Sequence, residues 1–163
     1  MPDQLTIRNK SSKKINTRFL KKIIYYGLIN ILKEKDFDLA IFLVNPKTIE
    51  KINKQFLNHD GVTDVISFDY SDYPEINTLS NQRKTDSYLY GEIYICPHVA
   101  EEQSRQFNTT TEEEIVRYAI HGILHLKGYD DLTSIELKKM RKMENKVISQ
   151  LKKEFIFKHL IKY

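Results

Sequence analysis

Apolar and polar residues alternate along "QLTIRN" (residues 4–9), and "FDLAIFLV" (37–44) is apolar enough throughout to read as a buried strand. Two further runs read the same way: "DVISF" (64–68), bounded by turn residues, and "YLYGEIYIC" (88–96). Between these runs the period changes to that of a helix. In "SKKINTRFLKKIIYYGLINILKEK" (12–35), Ile15, Phe19, Ile23, Tyr26 and Asn30 recur at helical spacing, which predicts one long helix. Asn45, just ahead of Pro46, is placed to cap a helix through "KTIEKINKQFL", with the proline at the first position, where its missing N–H costs nothing. Pro97 opens "PHVAEEQSRQF" in the same manner. "TTTEEEIVRYAIHGILHLKG" (109–128) begins with threonine caps and with glutamates that complement the helix dipole, and it stops at Gly128. "TSIE" (133–136) has the form of a capping box and starts another helix. Residues 69–87 show no period and read as a long, mobile loop.

A chain of 163 residues with 40% hydrophobic composition suits one domain, 1–163, with a core of its own. Its single cysteine, Cys96, excludes an internal disulfide framework and reads as a small core residue at a strand end rather than a nucleophile. The N-terminus lacks the pattern of a signal peptide, and no apolar run approaches the roughly 20 residues that cross a bilayer. The expectation is a cytoplasmic protein with no membrane partner. The net charge of +4 is modest, but its distribution is not even. Residues 8–35 carry nine Lys/Arg against one acidic residue, and residues 138–163 carry nine against two. Attraction for phosphate is therefore expected from the first and last helices, although solvated lysine faces account for the same charges.

The chemistry concentrates in "HGILHLKGYDD" (121–131). On a helix His121 and His125 are stacked neighbours and aim their ring nitrogens at one point. After Gly128 the chain must fold back over the last helical turn, so a carboxylate from Asp130 or Asp131 can join them. Two histidines, one carboxylate and an open fourth position make a composition used by catalytic zinc, and no CxxC pair supports a structural zinc site. A zincin peptidase would need a glutamate after the first histidine; here that position is Gly122, which instead lets a substrate or a neighbouring strand approach the helix closely.

These residues resemble the signature of the YbeY family of bacterial endoribonucleases and ribosomal-RNA maturation factors, H-G-x-L-H-L-x-G-Y-D-H. "INKQFLNHDGVTDVISF" is similar to that family's segment leading into P-T-D-V-L-S-F, and "GEIYICPHVAEEQS" to its G-D-I-x-I-C strand and following helix. The resemblance, in order over residues 52–131, implies an α/β (α+β) fold: a small central mixed β-sheet of about four strands surrounded by about five helices, with the metal-site helix near the cleft. It also implies cleavage of single-stranded RNA in rRNA maturation and ribosome quality control, with a metal on His121, His125 and Asp131.

Three positions depart from the family pattern. Asp131 stands where the family has a third histidine; aspartate also ligates zinc, but it makes manganese or iron easier to accommodate. Leu57 stands where an arginine acts at the cleft, leaving Lys54, Asn58 or His59 as replacement donors. Glu92 replaces an aspartate. The expected mechanism is metal-assisted hydrolysis of an RNA phosphodiester by one divalent ion, Zn2+ foremost and Mn2+ or Fe2+ as alternatives, with His121 at its centre. Thr63, Asp64 and Ser67 border the cleft by resemblance. Tyr70, Tyr73, Tyr88 and Tyr90 are candidates for base stacking, or else for sheet packing. The expected partners are an rRNA precursor and ribosomal components, with no nucleotide cofactor. Two alternatives stand beside this: a metal- and RNA-binding assembly factor that cuts nothing, and a hydrolase of small phosphoesters.

Overall fold

Strict alternation sorts the strand residues onto two faces, and each face is covered differently. The computed structural model describes residues 4–71 and 88–162. Within them, β1 (Gln4–Asn9), β2 (Phe37–Leu43), β3 (Val65–Asp69) and β4 (Leu89–Ile95) form one mixed sheet in the order β1-β2-β4-β3. β1, β2 and β4 run parallel, and β3 pairs antiparallel with β4 as the edge strand. The α-helices among the described residues are α1 (Thr17–Tyr26), α2 (Pro46–Leu57), α3 (Pro97–Phe107), α4 (Thr111–Leu126) and α5 (Ser134–Glu154). The expected α/β architecture of about four strands and five helices is therefore observed.

The register aligns Ile7, Ile41 and Ile93 across three strands, with Leu43 beside Ile95 at the next level. On this face the core closes with Leu20, Ile23 and Ile24 of α1, Ile120 and Ile123 of α4, and Val147 and Leu151 of α5. A smaller cluster lies under α2 and consists of Val44, Ile49, Ile66 and Cys96, with Phe42, Phe68 and Tyr94 at its margin. Cys96 is fully buried, as expected for a core residue, and burial pushes its thiol pKa up. α4 runs between the sheet and α5 and is buried almost all round; only Thr111, Arg117, His121 and His125 are not. No helix among the described residues is long and apolar enough to cross a membrane.

Two local expectations need correction. The helix expected over 12–35 begins only at Thr17, because the Asn16 side chain accepts from the Phe19 N–H at 3.0 Å and the preceding Ile15 bridges to Ile161 instead. After Tyr26 it widens into a π-turn, Gly27–Ile31, and Lys33 at φ 58° stops it. Asn45 does occupy the N-cap position of α2, yet its side chain makes no cap bond; it accepts from the Ser12 N–H at 2.9 Å across the sheet end. The glutamates at the start of α4 do occupy its first turn, as expected, but not as a solvated face. Glu112, Glu113 and Glu114 are all buried, and Arg117 pairs with Glu113 and Glu114 while Lys152 pairs with Glu113. The expected loop 69–87 is described only through Ser71, where Asp69 still belongs to β3; the rest of it, with Tyr73, lies outside the described residues.

Candidate metal centre

Arg117, His121 and His125 repeat at four-residue intervals and form the stripe of α4 that escapes burial, so both imidazoles leave the helix on one side. Gly122 explains how that helix can lie so close to the sheet: a Cβ there would meet Ile93 Cγ2 at 2.8 Å. The approach is made by a neighbouring strand, one of the two uses expected for this glycine. At the C-terminal end Gly128 takes φ 104°, the left-handed region that favours glycine, while its N–H donates to His125 O and that of Tyr129 to Leu124 O, both at 3.0 Å. Five residues later Thr133 and Glu136 complete the capping box that starts α5. The chain between these two fixed points turns back over α4, and it is Asp131, not Asp130, that meets the histidines. Asp130 lies instead in a separate depression with Lys127, Glu136 and Lys139.

His121 Nε2 and His125 Nε2 stand 3.0 Å apart, and Asp131 Oδ2 is 3.4 Å from each. Bonds of 2.0–2.1 Å from a tetrahedral ion to nitrogen and oxygen donors place neighbouring donors about 3.3 Å apart. The three donors therefore form one face of such a tetrahedron, and His121, His125 and Asp131 could hold a metal ion with its fourth position left for another ligand.

A fourth residue orients the first. Glu144 of α5 is 2% exposed, and its Oε2 lies 2.6 Å from His121 Nδ1. A carboxylate only accepts, so Nδ1 carries the hydrogen and the Nε2 lone pair is free to bind an ion. The other Glu144 oxygen accepts from Arg117 at 3.3 Å, and Arg117 also donates to Asn145 at 2.8 Å. Burial lowers the His121 pKa, but the hydrogen bond and charge of Glu144, with Asp131 and Asp64 farther off, outweigh it and leave the net shift upward. Glu144→Gln, which keeps the shape but removes the charge, is expected to weaken metal binding about tenfold. Competition against a chromophoric chelator measures this, and unchanged affinity would show that His121 needs no anionic partner.

Beside the donors is a cavity of about 210 Å³ between α3, α4 and α5, with Asp64, Tyr118, Arg141 and Glu144 among its walls. Burial, with the nearby Asp64 and Glu114 charges, pushes the Tyr118 phenol well above its usual range, so it stays protonated and donates to Gln103. Burial likewise raises the Glu114 carboxyl.

The expected substrate residues are spread more widely. Thr63 Oγ1 donates to Asp64 at 3.3 Å, at the cavity wall, and Ser67 Oγ donates to the Gly122 carbonyl at 3.5 Å, between the two histidines in sequence. Lys54 pairs with Asp60 at 3.0 Å beside a different depression, and Asn58 is the left-handed residue ending α2, followed by His59, whose N–H bonds back to Asn53 O. Leu57, at 40% exposed, offers no donor. Of the tyrosines proposed to stack, Tyr70 and Tyr88 both pack edge-to-face on Tyr90. Glu144, Arg117 and Arg141 are the residues that sequence reasoning missed. For Glu144 a signal existed: Met140, Glu144, Val147 and Leu151 follow the apolar stripe of α5, and a carboxylate on that stripe must be paired.

The family model described as Endoribonuclease YbeY matches residues 5–152. Among curated relatives of that name, one from Clavibacter michiganensis is 31% identical over 144 residues, covering 88% of this chain and 92% of the relative. One from Chlorobium luteolum is 32% identical over 148 residues, covering 91% and 98%. The solution structure of TM1509 from Thermotoga maritima superposes with a TM-score of 0.63 at 30% identity, covering 93% of this chain and 91% of that one.

Proposed function

The chain belongs to the endoribonuclease YbeY family, and from that membership we propose that it is a metal-dependent endoribonuclease of single-stranded RNA, acting in rRNA maturation and ribosome quality control. The observation that supports the metal in this reading is the triangle of His121 Nε2, His125 Nε2 and Asp131 Oδ2, with sides of 3.0 and 3.4 Å. These donors would hold one divalent ion, Zn2+ foremost, with Mn2+ or Fe2+ as alternatives because a carboxylate replaces a third imidazole. When bound, such an ion supplies Lewis acidity to a phosphate oxygen and makes a water more acidic.

The residues around it have separable tasks. Glu144 keeps the His121 ring turned so that Nε2 faces the site, and Arg117 keeps Glu144 in place. Asp131 adds the negative charge that favours a divalent cation over protons. Thr63 and Ser67 line the approach, while Lys54, Asn58 and His59 contact RNA farther along the strand. Exposed cations on α1 and α5, such as Lys21, Lys22 and Lys138, attract the RNA backbone in a salt-dependent way. The substrate is an rRNA precursor met in the cytoplasm, with ribosomal components nearby, and the reaction uses no nucleotide cofactor or membrane. The whole chain, 1–163, acts as one domain.

Leu57 gives a second reading some weight. A half-exposed leucine cannot orient a phosphate, so a protein that holds metal and RNA for ribosome assembly without cutting is the competing function. Untagged protein loaded with zinc, manganese or iron and assayed on single-stranded RNA and on a small phosphodiester separates the possibilities. Cleavage of RNA that a chelator abolishes supports the nuclease, binding without cleavage supports the assembly factor, and turnover of the small ester alone points to a different hydrolase.

The ligand assignment makes its own prediction. Asp131→Ala is expected to lower metal affinity by more than about 100-fold, beyond the 10- to 100-fold typical of losing an outer partner. Asp130→Ala should change it little. Metal titration of both variants decides, and the reverse order would place the ligand at Asp130.

A further inference from the structure

We infer that the cavity beside the metal centre is a nucleotide subsite in which Arg141 takes a phosphate of the RNA while Phe107 and Leu137 receive the adjoining base; this rests on the endoribonuclease reading. Leu137, Arg141 and Glu144 are spaced by four and three residues, so one face of α5 looks into the cavity. On that face Glu144 reaches back to His121, which puts Arg141 one turn away from the residue that orients the metal donor.

Two guanidinium groups line the cavity, and they differ in what they already hold. Arg117 is committed to Glu113, Glu114 and Glu144 and to the Asn145 side chain. Arg141 is exposed and makes no hydrogen bond or contact ion pair with a described residue; it acts on Glu114 only through space. A guanidinium free of partners can present two parallel N–H groups to phosphate oxygens, which the leucine at position 57 cannot do.

The rim fits the rest of a nucleotide. Phe107 ends α3 with its side chain 58% exposed, and Leu137 is 40% exposed across from it. Large apolar groups left in water at the mouth of a polar cavity provide a surface on which an unpaired base can pack. A volume of about 210 Å³ is of the scale of a sugar-phosphate unit, so the base would rest on this rim rather than inside.

Charge makes occupancy conditional. The walls carry Asp64, Glu114, Asp131 and Glu144 against Arg117 and Arg141. With Arg117 already committed, an anion enters only when a cation at the His121–His125–Asp131 group offsets the remaining carboxylates. Phosphate and metal should therefore each strengthen the binding of the other.

The test measures binding of a short single-stranded RNA oligonucleotide to zinc-loaded protein over a range of salt concentrations, with zinc content determined for each variant. Arg141→Gln is expected to weaken binding about tenfold and to flatten the salt dependence by about one phosphate contact, with zinc content unchanged. Arg141→Lys should restore part of the loss, Phe107→Ala should weaken binding without altering the salt slope, and stripping zinc from the wild type should weaken it as well. Lys51→Gln, the same charge change on α2, sets the background. Equal losses in Arg141→Gln and Lys51→Gln would overturn the subsite, as would loss of zinc in Arg141→Gln. A zinc-loaded wild type that neither binds nor cuts the oligonucleotide removes the endoribonuclease reading itself, and the subsite with it.

Discussion

Replacing His121 and His125 together by alanine is expected to take bound metal from about one equivalent to none and to lower RNA cleavage by about 10³-fold or more. The size follows from what is lost. A Lewis-acid ion contributes several kcal/mol of charge stabilisation in the transition state, and about 1.4 kcal/mol is a factor of ten in rate. Asp131 alone, on a turn rather than a helix, offers one oxygen and no chelate, so the remaining group has no means to retain the ion. The fold should survive. Both rings lie on the one stripe of α4 that reaches solvent, and alanine is the better helix former. Elemental analysis of untagged protein measures the metal, and circular dichroism guards against misfolding. A folded double variant that kept its equivalent of metal would mean that the ion sits elsewhere. A folded double variant without metal that cleaved RNA at the wild-type rate would sever the centre from the reaction.

The effect contrasts with the tenfold expected for Glu144→Gln, and the difference explains what could be read from the sequence. The histidine pair, the glycine at 128 and the capping box at Thr133 are local signals, each complete within a few residues, and the structure realises all three. Strand alternation is equally local, which is why the four strands fall where the pattern places them to within a residue or so. What escaped depends on partners far along the chain. Asn45 fails to cap α2 because its side chain is taken by the N–H of Ser12, 33 residues away. Glu144 sits in a lysine-rich helix and counted there only as one acidic residue; its function comes from His121, 23 positions earlier. Glu113 and Glu114 fit the local rule for a helix start, and nothing in their neighbourhood announces that they will be buried with Arg117 and Lys152. The candidate donors were legible because two histidines one helical turn apart are nearly a sequence property. Their orienting network was not, because it is assembled by packing α5 against α4.

A close contact among β3, β4 and the end of α4 supplies the second large expectation: Gly91→Ala should destabilise the protein by about 3 kcal/mol. A Cβ at Gly91 would lie 2.3 Å from the backbone oxygen of Phe68 and 3.1 Å from both Leu126 methyl groups. Phe68 O belongs to β3, paired directly with β4, so relief requires moving a strand rather than turning a side chain. Gly122→Ala, although on a buried helix, should cost less. The atoms nearest its new Cβ all belong to the Ile93 side chain, the closest at 2.8 Å, and removing a glycine from a helix interior returns about 1 kcal/mol. In the strand pair a similar return is outweighed by the clash with backbone. The Gly91 clash also presses on Leu126, the last residue of α4 before the turn that carries Asp131. Metal affinity should therefore fall in Gly91→Ala along with stability, whereas Gly122→Ala should lose less of both. Urea unfolding midpoints and chelator competition on the two variants give the comparison. Equal stability of Gly91→Ala and wild type would mean that β3 yields freely, and the turn that carries Asp131 would then have to draw its rigidity from α5 alone.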